Sequence, residues 1–290
     1  MAEIIYRPRG RAPERILLYG PQGSGKTRAA CDMLTKALGP GQTAYIIDTD
    51  NSYNRFLESG DWEKLTPRQE WEGGDWDDEW CEADGRMVLY HPRNWEDFEW
   101  CMGDAWARAG RGDWVVVDSL THPWADYVQT WYIERVHGSD LPEFLIEARI
   151  RQVEDRKGAD GGASAMLVEW TFVNKVWSKA FLTPYVNARC HVVVTAEAKT
   201  LRTDDRGDAK DVRDLYGHVG WKPDTQRRIG ANSQTVVYME PGRGKEKTWY
   251  ATTVKDRERD MLVREQVEEF GKMYLRGVAG WRPEKVTEEE

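Results

Sequence analysis

Gly20-Pro21-Gln22-Gly23-Ser24-Gly25-Lys26-Thr27 (GPQGSGKT) is the stretch on which the reading of the fold turns. It satisfies G-x-x-x-x-G-K-[ST] at every fixed position. Gly23 and Gly25 allow backbone angles that other residues resist, so successive N–H groups can turn inward on a polyphosphate. A helix opening near Lys26 points its positive dipole end at the same place. Lys26 supplies a point charge to the β- and γ-phosphates, and the Thr27 hydroxyl is suited to ligate Mg²⁺. Gly20, Gln22, Gly23, Ser24, Gly25, Lys26, Thr27 and Arg28 are therefore the expected nucleotide contacts, with ATP and Mg²⁺ as ligands.

The flanks supply the context that the motif needs. Arg15 to Tyr19 (RILLY) reads as a buried strand, and Lys26 to Leu38 as a helix stopped by Gly39-Pro40-Gly41. Further apolar runs read as strands: Thr43–Ile47, Met87–Tyr90, Trp114–Val117 and His191–Val194. Helical patterns lie between them, over Asn94–Ala109 with Asn94 as N-cap, Pro123–Val136, Leu141–Asp155, and through Trp170 to Ala180. Thr235–Met239 and Thr248–Val254 read as a closing strand pair, and Leu262–Leu275 as a last amphipathic helix. Apolar strands alternating with helices predict an α/β fold with a mostly parallel, doubly wound sheet. The expected organisation is a basic arm over 1–14, an ATPase domain over 15–260, and a helix with a frayed acidic tail over 261–290.

The net charge of −9 is local. Between Glu58 and Asp84 eleven acids face two bases, so this Trp-rich segment, read as a surface insert, carries the whole imbalance. An acidic average therefore does not exclude a basic face elsewhere. Cys31, Cys81, Cys101 and Cys190 are far apart, which indicates neither a zinc site nor a disulfide framework and fits a reducing cytosol. No apolar run is long enough to span a membrane, and the arginines of the first fifteen residues precede no apolar stretch, so no secretory signal is expected.

A phosphate loop needs an acid at the carboxyl end of a neighbouring strand to hold the metal's water shell. Asp118, after the WVVV run, is the candidate; Asp113 precedes that strand and would lie at its wrong end. Ser119 follows Asp118 where a neighbouring glutamate base would otherwise stand. The base is therefore sought at the end of the Thr43–Ile47 strand, in Asp50 or its competitor Asp48.

Four pieces in order now resemble the RecA-like ATPases: GPQGSGKT, AYIIDTD (Ala44–Asp50), VVVDS (Val115–Ser119) and VKDR (Val254–Arg257). The overall look is similar to phage-encoded members, including compact ones active in single-strand annealing or recombination. HVVVTAEAK (His191–Lys199) resembles the next strand of that group. The resemblance implies a RecA-like core with inserted loops, Asp50 as catalytic base, and Thr195 and Glu197 as sensors of the γ-phosphate. It also implies that Lys255 and Arg257 reach a neighbouring subunit's nucleotide, hence a homo-oligomer, ring or filament, in the cytoplasm of a host. The family carries glutamate where this chain has Asp50; the shorter aspartate predicts slow hydrolysis.

In such proteins the excursion after this strand touches DNA. Here Lys199, Arg202, Arg206, Arg213, Tyr216, Trp221, Lys222, Arg227 and Arg228 are the candidate contacts to single-stranded DNA, the aromatics by stacking. From Lys199 to Arg228 eight bases face six acids, a mildly basic segment. Arg149, Arg151, Arg156 and Lys157 form a second candidate patch. A small-substrate kinase with an arginine-rich lid, and a nucleotide-dependent scaffold with little turnover, remain as competing readings.

Overall fold

The computed structural model describes residues 3–8, 12–53, 67–71, 86–140, 142–147, 150, 162–202, 209–242, 248–256 and 262–286. The strands are β1 (Glu3–Arg7), β2 (Arg15–Gly20), β3 (Ala44–Asp48), β4 (Pro67–Trp71), β5 (Met87–Tyr90) and β6 (Trp114–Asp118), then β7 (His191–Thr200), β8 (Trp221–Pro223), β9 (Thr235–Pro241), β10 (Trp249–Lys255), β11 (Glu265–Gln266) and β12 (Arg282–Val286). The main helices are α1 (Lys26–Ala37), α2 (Trp95–Arg108), α3 (Val128–His137) and α4 (Gly162–Trp177), with the shorter α5 (Thr183–Val186), α6 (Lys210–Tyr216), α7 (Arg228–Asn232) and α8 (Phe270–Lys272).

The large sheet runs β11-β10-β9-β2-β7-β6-β3-β5-β4, with β8 added to β7. From β9 through β4 all pairings are parallel, and β8, β10 and β11 are the antiparallel additions. This is the mixed α/β, mostly parallel sheet that the alternating pattern predicts. The central strands β2, β3, β5 and β6 and the first half of β7 are almost wholly apolar and buried because both faces are covered. Alternate residues of one strand serve opposite cores: Val116 and Val193 pack with Ala30, Met33, Leu34 and Phe270 on the α1 side. Val115, Val117, Val192 and Val194 pack with Phe98, Tyr132, Trp177 and Phe181 on the α2–α4 side. Asn94 caps α2 as expected, its side chain accepting from the Asp97 amide at 2.9 Å.

Three expectations are corrected. Within the arm expected over 1–14 and the tail expected to fray, Glu3–Arg7 pairs antiparallel with Arg282–Val286 as a small two-stranded sheet. The last helix does not start at Leu262. Glu265–Gln266 pairs with β10, and the helical part is α8 with a π-helical continuation over Met273–Val278. Of the predicted apolar stripe, Phe270 and Tyr274 are buried but Val263 is 77% exposed. The excursion from Lys199 is built around α6, β8 and α7, the strand β8 folding back on β7. In the acidic insert, Pro67–Trp71 adds a parallel edge strand to β5, and buried Trp71 stacks on Trp100 at 4.6 Å; the rest of the insert lies outside the described residues.

Parallel strands deliver their carboxyl ends to one edge. The register places Gly20 opposite Glu197 and Asp48 opposite Asp118, so the candidate chemistry converges there.

Candidate nucleotide site

The loop leaves β2 at Gly20 and enters α1 at Lys26. Gly25, the N-cap, has φ 83° and Gly23 has φ 75°, the left-handed region in which a side chain would be strained. No acid stands in the first turn of α1, so no side chain competes with an anion for its amides and dipole. The Lys26 ammonium donates to the carbonyls of Gly20 (3.0 Å) and Pro21 (3.1 Å). Burial lowers its pKa, opposed by the charges of Asp118, Glu197 and Asp50. Ser24 Oγ is buried with no hydrogen-bond partner.

Trp249, which no sequence signal marked, roofs this loop. Its indole N–H donates to Gly23 O at 3.1 Å, and the Arg28 guanidinium lies 5.5 Å from its ring centre.

Asp118 closes β6 and is almost wholly buried. Its Oδ1 accepts the Thr195 hydroxyl. Its Oδ2 is buried with no hydrogen-bond partner among the described residues. Burial raises the pKa, the Thr195 and Thr27 hydroxyls oppose that, and Asp50 and Asp48 add to it, leaving the group at about 6. An anionic oxygen left unmatched beside a threonine hydroxyl is a site that a divalent cation or its bound water fits. Asp113, the rival, caps a turn at the other end of β6, accepting from the amides of Thr43 (2.8 Å) and Gly110 (2.7 Å).

The two candidate bases separate cleanly. Asp48 is buried and accepts from the amides of Asp50 (3.3 Å), Ser52 (3.0 Å) and Tyr53 (2.9 Å), so it holds the turn after β3. Asp50 lies within that turn with its side chain exposed, Oδ1 3.1 Å from His122 Nε2 and 3.3 Å from Thr49 Oγ1. Burial pushes its pKa up, but His122 and Thr49 outweigh burial and hold it below the ordinary value. His122 also meets Asp126 through Nδ1 at 3.2 Å. The Asp50 hydrogen bond, against burial, lifts the imidazole to about 9, so at neutral pH it is an imidazolium donating both N–H groups. His122 was missed from sequence; only its Asp126 spacing of four residues was visible there. Thr195 is buried on Asp118, whereas Glu197 is exposed and its amide donates to Thr121 Oγ1 at 2.9 Å.

No protein-family model matches the chain, and no curated protein matches it. Among solved structures, the crystal structure of the RadB recombinase is similar over 93% of this chain and 91% of that one, at 18% identity and a TM-score of 0.44.

The remaining candidates fall differently. The Lys255 ammonium donates to the carbonyls of Gly230 (3.1 Å), Ala231 (2.7 Å) and Ser233 (2.6 Å). It caps the end of α7 rather than projecting toward a second nucleotide, and Arg257 lies outside the described residues. Tyr216 is buried against Tyr19, ring centres 5.7 Å apart, and presents no face on which a base stacks. Trp221 is 39% exposed. Lys199 pairs with Asp224 and Arg227 with Asp211. Arg202 and Arg228 are exposed, Arg213 and Lys222 half-buried. Arg206 and the patch of Arg149, Arg151, Arg156 and Lys157 lie outside the described residues.

Proposed function

We propose that this chain is a RecA-like, Mg²⁺-dependent ATPase that acts on single-stranded DNA as a homo-oligomer, in recombination, annealing or replication of a phage genome. The observation that carries the nucleotide half is the pairing of a glycine-turned loop before α1 with the buried Asp118, whose Oδ2 has no hydrogen-bond partner among the described residues. The DNA half is supported by the resemblance of the ordered motifs and by the bases between β7 and α7.

The chain's own groups divide the work. Loop amides and the end of α1 hold the phosphates, and Lys26 swings from the Gly20 and Pro21 carbonyls to a phosphate oxygen. Thr27 and Asp118 hold the cation, which when bound neutralises charge on the phosphate oxygens. Asp50, with a depressed pKa, is a weak base; it orients the attacking water rather than removing its proton early. Its ion pair with His122 supports slow turnover, which also favours the second reading, a nucleotide-dependent scaffold.

ATP turnover measured with and without single-stranded DNA decides between them. Stimulation that fades steeply with salt supports the ATPase reading. Tight ATP binding with no turnover in either condition supports the scaffold.

A further inference from the structure

Away from the phosphate loop, two adjoining cavities share Trp124, Gln226 and Arg227 as lining residues. The larger, about 1120 Å³, runs between α4 with the turn after it and the start of α7. Lys175, Lys179, Arg227 and Arg228 line it, with Asp211 as the one acid among the described lining residues. The smaller, about 340 Å³, is lined by Lys199 and Lys222 and reaches inward to Tyr216 and Thr225. These last two are 3% and 7% exposed, and neither hydroxyl has a hydrogen-bond partner among the described residues.

We infer that these cavities form one groove that seats single-stranded DNA, its backbone along the α4–α7 cleft and one base turned into the smaller cavity. The inference rests on the DNA reading above and locates the strand; four of the six cations come from α4, the π-helical segment Ser178–Leu182 after it and the start of α7, and two from the β7–β8 hairpin.

The chemistry is argued group by group. Among the described lining residues six cations face one acid, with Asp224 and Glu99 alongside, a net positive balance that suits a polyanion. Their present partners are replaceable: Arg227–Asp211 and Lys199–Asp224 are solvent-exposed pairs, and Lys179, 84% exposed, is 3.8 Å from Glu99. Exposed pairs of this kind contribute little, so phosphates displace the carboxylates at small cost. Trp124 is half-buried and fixed by Trp177 (5.3 Å) and Trp170 (6.1 Å), which makes it a stiff platform for a base where Tyr216 is not. The Tyr216 and Thr225 hydroxyls, buried at the inner end of the smaller cavity, can donate to or accept from the polar edge of a base.

The test is binding of labelled oligothymidylate to the full chain by anisotropy across salt. Lys175→Ala/Lys179→Ala removes two exposed cations that touch no part of the nucleotide site. The expected result is about tenfold weaker binding near 100 mM salt and a salt slope shallower by about 1.4, at about 0.7 per phosphate for single strands. Turnover without DNA stays at the wild-type level. Wild-type binding with the double variant unchanged in affinity and slope overturns the groove but leaves the DNA reading standing. Absence of wild-type binding at low salt defeats the DNA reading itself. Trp124 is tested without substitution, by photocrosslinking an oligonucleotide carrying 5-iododeoxyuridine and mapping the adduct by mass spectrometry. An adduct on Trp124 is expected; adducts confined to residues outside the groove overturn the proposal.

Discussion

His122 Nε2 lies 3.1 Å from Asp50 Oδ1, joining the turn after β3 to the segment after β6. The contact fixes the carboxylate that is the candidate for aligning water, and it makes His122 a positioning residue. Asp50→Ala is expected to cut turnover by about 10²-fold, within the range that a positioned base contributes. His122→Ala is expected to cost about tenfold, with nucleotide affinity within about twofold of wild type. Since the imidazole titrates at about 9, wild-type turnover should fall as pH rises through that value, and the limb should vanish in His122→Ala. An identical limb in the variant would exclude His122 as its source.

Lys26→Ala removes the only ammonium that the loop holds among the described residues. A ligand at about 100 times its Kd stabilises a protein by about 2.7 kcal/mol, a readable rise in Tm. The Mg²⁺–ATP shift should be present in wild type and absent in Lys26→Ala. Asp118→Asn should keep the shift with nucleotide alone and lose the increment that Mg²⁺ adds. A full Mg²⁺ increment in Asp118→Asn would dismiss Asp118 as the metal's acid.

Trp249 steadies the loop through the Gly23 carbonyl and backs Arg28. A hydrogen bond is worth about 1 kcal/mol and an exposed cation–π contact about 0.5–1 kcal/mol. Trp249→Ala should therefore weaken ATP binding about ten- to thirtyfold. Trp249→Phe keeps a ring under Arg28 but no donor, and should fall between. Calorimetric titration of the three proteins reads the order, and equal affinities would leave Trp249 with no part in the site.

Lys255 and Arg257 are expected to behave unlike each other. Lys255 satisfies three carbonyls near the end of α7, so Lys255→Ala should lower stability by about 1–2 kcal/mol in a denaturant titration. Arg257→Ala should instead spare stability and lose turnover, and mixing it with Asp50→Ala should restore part of the rate. No recovery on mixing counts against catalysis between subunits.

What was legible in the sequence was what local chemistry dictates. Gly23 and Gly25 are readable because their backbone angles admit almost nothing else, and Val115–Val117 because a strand covered on both faces has no polar side. Asp118 followed from the strand that delivers it. The unread parts depend on distant segments. Trp249 meets Gly23 across 226 positions, and Glu3–Arg7 finds Arg282–Val286 across nearly the whole chain. Lys255 sat two residues before Arg257, as a two-pronged element would, yet the bare carbonyls of α7 claimed it first. The helix expected from Leu262 failed because Val263, Val267, Phe270 and Tyr274 keep helical spacing while β10 offers an open edge to Glu265–Gln266.

His191 makes the fold acid-sensitive in a defined window. It is buried, stacked on Trp114 at 4.6 Å and near Trp281 at 5.1 Å, and its Nδ1 accepts the Glu14 amide at 3.0 Å. That bond needs the neutral ring, and burial lowers the pKa from 6.5 to about 4. Between these values the unfolded chain takes a proton that the folded one refuses, so stability falls as pH falls through the window. The loss is on the order of 3 kcal/mol and is complete below about 4. Asp118, raised to about 6, binds its proton better when folded and acts in the opposite sense over an overlapping range. The wild-type curve alone would therefore mix the two, and the difference from His191→Gln isolates the imidazole. Urea midpoints of both proteins from pH 7 to pH 4 should show the advantage of wild type shrinking as pH drops; a constant gap would mean that His191 is not the group titrating.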